Sequence, residues 1–215
     1  MRSVWQRDSS LPEHPALAGE VRTDVLVIGG GLAGLLTARE LQQRGVDVVL
    51  VEKDRICSAT TAHTTAKITA QHGLIYHKLI RSIGTQGATQ YYRANAEAAE
   101  RLKELCRRFG VPMEEKNNFV YSSSRQKLGD ELSALHKLGI PAIFEESPPL
   151  PISTAGAVGI PGQAQFHPLK LAEQLVKDLT IYEKSRVTEL IGTTAKTENG
   201  NIQARKSSLP RTSLF

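Results

Sequence analysis

The chain has 215 residues, 40% hydrophobic and 23% charged, which is ordinary for a globular protein. Its formal charge of +5 does not mark a nucleic-acid binder, because the basic residues are scattered among acids, as in Glu100-Arg101-Leu102-Lys103-Glu104, and read as a solvated surface. The apolar runs Val25–Ile28 and Val48–Val51 are strand-length and far short of a membrane span, the first ten residues lack an apolar signal core, and Cys57 and Cys106 stand apart without metal spacing; a cytoplasmic protein with reduced thiols is expected.

Residues 1–20 are polar, hold Pro12 and Pro15, and predict an irregular arm. Thr23–Ile28 then reads as a strand buried on both faces. Leu32–Arg44 has helical periodicity through Leu35, Leu36, Ala38 and Leu41, and Gly45 suits the residue past its end. Val46–Glu52 is a second apolar strand, so the three segments form a βαβ unit with a parallel pair. Ser58–Thr69 is too polar for a core element. Gly87–Phe109 predicts a long helix, Phe119–Ser122 a strand, and Arg125–Leu138 a helix closed by Gly139 and Pro141. Pro148–Pro161, dense in proline and glycine, predicts loop and short strands. Leu169–Leu179 is helical with Pro168 in its first turn, Ile181–Ile191 supplies one or two strands, and Glu198-Asn199-Gly200-Asn201 reads as a hairpin turn.

The segment Gly29-Gly30-Gly31-Leu32-Ala33-Gly34 satisfies the spacing GxGxxG, which alone is a weak signal. Its context is what a dinucleotide requires. Gly29 permits the turn out of the strand, Gly31 lets a pyrophosphate approach without a Cβ, and Gly34 lets the helix pack on the sheet. The helix from Leu32 and Ala33 directs its positive end and free N–H groups at the phosphates. Glu52, 18 residues past Gly34, can accept hydrogen bonds from an adenosine ribose and opposes a 2′-phosphate, which argues against NADP. The motif does not separate FAD from NAD.

Asp24–Gly34, followed by Glu52-Lys53 and by Thr60-Thr61-Ala62-His63-Thr64-Thr65-Ala66-Lys67, resembles the FAD-dependent amine and amino-acid oxidases, the group of D-amino acid oxidase, glycine oxidase and sarcosine oxidase. His63–Gly73 and Ala164–Lys170 resemble a bacterial branch whose members carry a C-terminal Rieske [2Fe-2S] domain; no Rieske Cys-x-His spacing occurs in this chain. The likeness runs from about Ser3 to Lys206, with Ala62 standing where the family usually has glycine. It implies an α/β fold: a three-layer, Rossmann-like FAD-binding domain over residues 21–85 and 163–206, with a partial α+β substrate domain over 86–162. It further implies FAD as cofactor and a small amine or amino acid as substrate. The FAD contacts it implies are Gly29, Gly31, Leu32, Ala33, Gly34, Glu52, Lys53, Thr64, Thr65, Ala66, Lys67 and, through the main chain at the adenine, Val187. Hydride would pass from a C–H beside nitrogen to flavin N5, and no catalytic side chain is assigned. Tyr91, Tyr92, Arg93 and Tyr121 are candidates for a substrate pocket, although tyrosines at helical spacing more often belong to a core; His63 is conceivable as a covalent flavin attachment.

Family members of this branch are more than twice as long, and Ser207-Ser208 and Pro210 are poor material for a central strand. Synonymous codons for Lys206 to Leu214, read in another frame, spell the family-like Val-Ile-Val-Ala-Thr-His-Phe-Pro, so a frameshift after Arg205 or Lys206 and an aberrant tail over 207–215 are expected. A sheet truncated there exposes edges and apolar faces, which predicts poor solubility. Two other readings stand beside the oxidoreductase: a catalytically inactive nucleotide-binding remnant, and an NAD-dependent dehydrogenase resting on the shared motif.

Overall fold

The computed structural model describes residues 2–149 and 151–208. They divide into two compact units, one comprising the residues up to Thr65 with those from His167 on, the other Ala66–Phe166. The first unit opens with β1 (Gly19–Ile28), α1 (Leu32–Gln43) and β2 (Val48–Val51). The second is built from β3 (Lys67–Ile68), α2 (Tyr76–Arg108), β4 (Met113–Tyr121), α3 (Arg125–Lys137), β5 (Ile143–Glu145) and β6 (Ala157–Phe166). The chain then returns to the first unit with α4 (Pro168–Leu175), β7 (Thr180–Tyr182), β8 (Glu189–Ile191), β9 (Thr194–Lys196) and β10 (Gly200–Ser208).

In the first unit the sheet order is β7-β2-β1-β10-β9-β8. The first four strands run parallel, and β9 and β8 join by antiparallel hairpins. Val25–Ile28 pair with Val48–Val51 in register, and all four β2 residues are buried, as a strand covered on both faces requires. One core cluster gathers Leu17, Leu26, Val49, Val51, Ile202 and Ala204, with α1 packed on β1 and β2. The mixed α/β class expected from the sequence is the class observed.

The second unit pairs β3-β6-β4 antiparallel, with β5 also on β6. Its core holds Tyr76, Leu128, Leu135, Ile140, Val158 and Ile160. The fully buried Glu131 of α3 accepts the Tyr76 and His77 N–H groups, each at 2.9 Å, and so caps α2 from another helix. Pairing of β3 with β6 assigns 66–85 and 163–166 to this unit, where the sequence grouped them with the other.

Several elements exceed their sequence-based bounds. Helix α2 begins at Tyr76 rather than Gly87, and turns at Gly84 with φ +74°. Strand β4 starts six residues before Phe119, and where loop and short strands were expected up to Pro161, β6 runs for ten residues from Ala157 to Phe166. Pro161 is tolerated because the β4–β6 register slips between Lys116 and Asn118, where a ladder N–H is dispensable. Strand β10 continues through Ser207 and Ser208, which pair there with Leu26 and Val27 of β1, while β9 pairs only with Asn201–Gln203. Residues 209–215 of the expected aberrant tail lie outside the described residues.

Candidate functional site

The turn out of β1 brings together half of the expected cofactor residues: Gly29, Gly31, Leu32, Ala33, Gly34 and, through its hydrogen bond to Gly30, Glu52. Gly29 has φ +112°, a region closed to side-chain-bearing residues, while its N–H donates to Val51 O at 2.8 Å and ties the turn to β2. Gly31 is the N-cap of α1 and offers no side-chain acceptor to the helix. Leu32 N–H donates instead to Thr61 Oγ1 at 3.1 Å. The next two amides, on Ala33 and Gly34, have no hydrogen-bond acceptor among the described residues. They are the orphan donors of a helix start, at the positive end of its dipole.

Gly30 is the position the sequence reading passed over. A Cβ there would stand 2.7 Å from Ile56 Cγ2 and 3.0 Å from Glu52 Cβ, so the protein itself demands glycine. At Gly31 a Cβ would meet only Thr61 Oγ1, at an ordinary 3.5 Å. Any need for glycine at Gly31 must therefore come from a ligand, which is the role the motif ascribes to it.

Glu52 follows β2 and faces this turn. Its Oε2 accepts Gly30 N–H at 2.7 Å and its Oε1 accepts Asp54 N–H at 3.0 Å. The segment after it closes back on the glycines: Cys57 N–H donates to Gly30 O at 2.9 Å, with Cys57 itself at φ +54°. Burial, with a further push from the Glu52 charge, raises the Cys57 thiol to about 12, so it is an inert core thiol. Neither Thr61 nor Ile56 carried a local signal, because their contacts with the turn are long-range.

The remaining expected contacts lie on other segments. Lys53 is exposed and lies 3.8 Å from Asp54. Thr64 is half-buried and Thr65 exposed, at the end of a stretch that includes a short 3-10 helix over Thr60–His63. His63 is exposed on that helix. In the second unit, Ala66 is buried at φ +54° and Lys67 opens β3. Val187 packs on the core cluster of the first unit, and its main-chain N–H and C=O make no hydrogen bond among the described residues. Tyr91 and Tyr92 pack about Tyr76, with Tyr91 Oη 2.9 Å from His72 Nδ1, whereas Tyr121 is exposed. Two open concavities of about 560 and 990 Å³ contain no residue of the glycine turn.

A parallel βαβ unit with a glycine turn, unpaired helix-start amides and an acid after the second strand is the arrangement of a Rossmann-like α/β fold. The family model described as FAD dependent oxidoreductase matches residues 24–207, and the chain belongs to that family. A putative Rieske 2Fe-2S iron-sulfur protein, YhfW of Bacillus subtilis (strain 168), is 40% identical over 193 residues, covering 85% of this chain and 38% of that protein. Among solved structures, glycine oxidase from Geobacillus kaustophilus superposes with a TM-score of 0.65 at 20% identity, covering 88% of this chain and 55% of that one. L-proline dehydrogenase from P. horikoshii does so with a TM-score of 0.66 at 18% identity, covering 91% and 54%. These structures share the fold, and the chain spans about half of their length. Among the described residues no helix is long and apolar enough to cross a membrane.

Proposed function

We propose that this chain is the FAD-holding portion of a flavoenzyme that oxidises a small amine or amino acid. The observation that carries the proposal is the Glu52 carboxylate bonded to Gly30 N–H beside the unpaired first-turn amides of α1. In this reading the Ala33 and Gly34 amides hold the diphosphate and Gly31 leaves its approach open. Glu52 uses only one lone pair of each oxygen on main-chain amides, which leaves acceptors for the ribose hydroxyls. The Val187 main chain meets the adenine, and Lys53, Thr64, Thr65, Ala66 and Lys67 are the further contacts.

Membership of an FAD-dependent family supports FAD over NAD. FAD, when bound, supplies the hydride acceptor for a substrate C–H beside nitrogen, so the chain's part is binding, orientation and exclusion of water. The names of the structural neighbours support an amine or amino-acid substrate, and the name of the B. subtilis relative supports an iron–sulfur centre as electron acceptor in longer relatives. Buried Cys57 and Cys106, both unpaired, fit a cytoplasmic setting. The test is titration of the purified chain with FAD and with NAD, read by flavin absorbance and by thermal stability. Saturable FAD binding, weakened about tenfold by Glu52→Gln because the amide can no longer accept at both oxygens, is expected. Binding of NAD alone refutes the flavin reading. Binding of FAD without bleaching by any amine or amino acid leaves the inactive-remnant reading in its place.

A further inference from the structure

The segment that walls the glycine turn, Arg55–Thr64, contains no regular element beyond one short 3-10 helix. It nonetheless supplies Ile56 against Gly30, Cys57 N–H to Gly30 O, and Thr61 Oγ1 to Leu32 N–H. Such a loop needs something to fix it, and residues 3–17 grip it at both ends.

At the far end, Trp5 Nε1–H donates to Thr64 O at 2.8 Å. Trp5 is itself held: its ring stands edge-on to His167, with centroids 5.2 Å apart, and Ser9 Oγ–H donates to its carbonyl at 2.7 Å. His167 is the N-cap of α4, where Nδ1 accepts Lys170 N–H at 3.1 Å. That bond leaves the ring proton on Nε2, which lies 3.0 Å from Asp8 Oδ1. Ser10 N–H donates to Glu173 Oε1 at 2.7 Å, adding a second tie from the arm to α4. At the near end, the buried Glu183 accepts Ile56 N–H at 2.8 Å, His14 N–H at 3.1 Å and the Arg55 guanidinium at 3.2 Å. Arg55 reaches on to Glu13 and to the Leu11 and Pro12 carbonyls, and Leu17 anchors the arm in the core.

We infer that the N-terminal arm is a positioning strap for the cofactor loop, with Trp5 the residue that sets the Thr64 end. This rests on the proposed FAD site and deepens it: Trp5 touches no cofactor and acts through the main chain of the loop. The arm thus substitutes for the secondary structure that the loop lacks.

The experiment compares wild type, Trp5→Phe and Trp5→Ala by amide hydrogen exchange of the ligand-free chain, thermal stability and FAD titration. Trp5→Phe keeps an aromatic ring against His167 while removing the N–H donor and part of the indole's volume. Its melting temperature is expected to stay near wild type, while the Ala62 amide, bonded to Ala59 O, exchanges about tenfold faster and the FAD dissociation constant rises about fivefold. Trp5→Ala is expected to exceed both effects. Wild type that binds FAD while Trp5→Phe binds it equally well overturns the strap alone. Unchanged exchange across residues 60–64 in both variants overturns it too. Wild type that takes up no FAD overturns the proposed function, and the strap's role with it.

Discussion

Replacing Gly30 by alanine tests the packing behind the glycine turn. The backbone at Gly30 is ordinary, so the cost is a collision rather than dihedral strain: the new methyl would lie 2.7 Å from Ile56 Cγ2 and 3.0 Å from Glu52 Cβ. Ile56 is 2% exposed and cannot swing away, and Glu52 is tied at both carboxylate oxygens. Overpacking of this kind costs about 1–3 kcal/mol. With a urea dependence of roughly 2 kcal/mol per M, the unfolding midpoint should fall by about 0.5–1.5 M. Truncating the neighbour isolates the cause. In an Ile56→Ala background the nearest clash is gone, so Gly30→Ala should cost about 1 kcal/mol less than in wild type. The same methyl pushes Glu52 off Gly30 N–H, so FAD affinity should fall more in Gly30→Ala than in Ile56→Ala. A midpoint shift below about 0.2 M, or strictly additive substitutions, would refute the reasoning.

Glu183→Ala leaves the Ile56 and His14 amides without their acceptor and Arg55 with Glu13 as its only carboxylate; a loss of about 2–4 kcal/mol in urea unfolding and faster proteolysis of residues 3–17 are expected, below the full buried-pair range because the Arg55 side chain is a third exposed. Glu131→Gln keeps one acceptor for the start of α2 and faces an amide with the other group, which should cost about 1–3 kcal/mol by the same assay. Burial raises the Cys57 thiol to about 12 and the Cys106 thiol to about 11, so both should resist a thiol reagent at pH 8 until the chain unfolds. Their raised folded values give stability that is whole below the ordinary thiol range and is lost as pH climbs toward 11 and 12. A Cys57→Ala/Cys106→Ala chain should therefore lose stability less steeply than wild type above pH 9; equal slopes would contradict this.

The βαβ unit was legible because each of its signals is local. Two apolar runs, the glycines and Glu52 sit within about thirty residues, and their spacing alone predicts a parallel pair about a helix start. What escaped the sequence depends on distant partners. The first turns of α2 are interrupted by Ser82, Gly84 and Gly87 and take their cap from Glu131 on α3. Strand β6 carries Gly159, Pro161 and Gly162, which read as turn residues until β4 and β5 supply ladders on either side. In the candidate site the motif pointed at Gly29, Gly31 and Gly34, whereas the tightest contact is at Gly30, set by Ile56 and Glu52 from beyond β2. The polar arm gave no pattern at all, since its order comes from Trp5, Glu13 and Leu17 meeting residues far along the chain.

The proposed FAD site depends on the first-turn amides of α1 being the diphosphate donors. Amide chemical shifts of a nitrogen-15-labelled chain, followed while FAD is added, address it most directly. Large, saturable shifts at Gly31, Ala33 and Gly34, with smaller ones at Gly30 as Glu52 takes up the ribose, are predicted. Saturable FAD binding that leaves these four amides unmoved would contradict it.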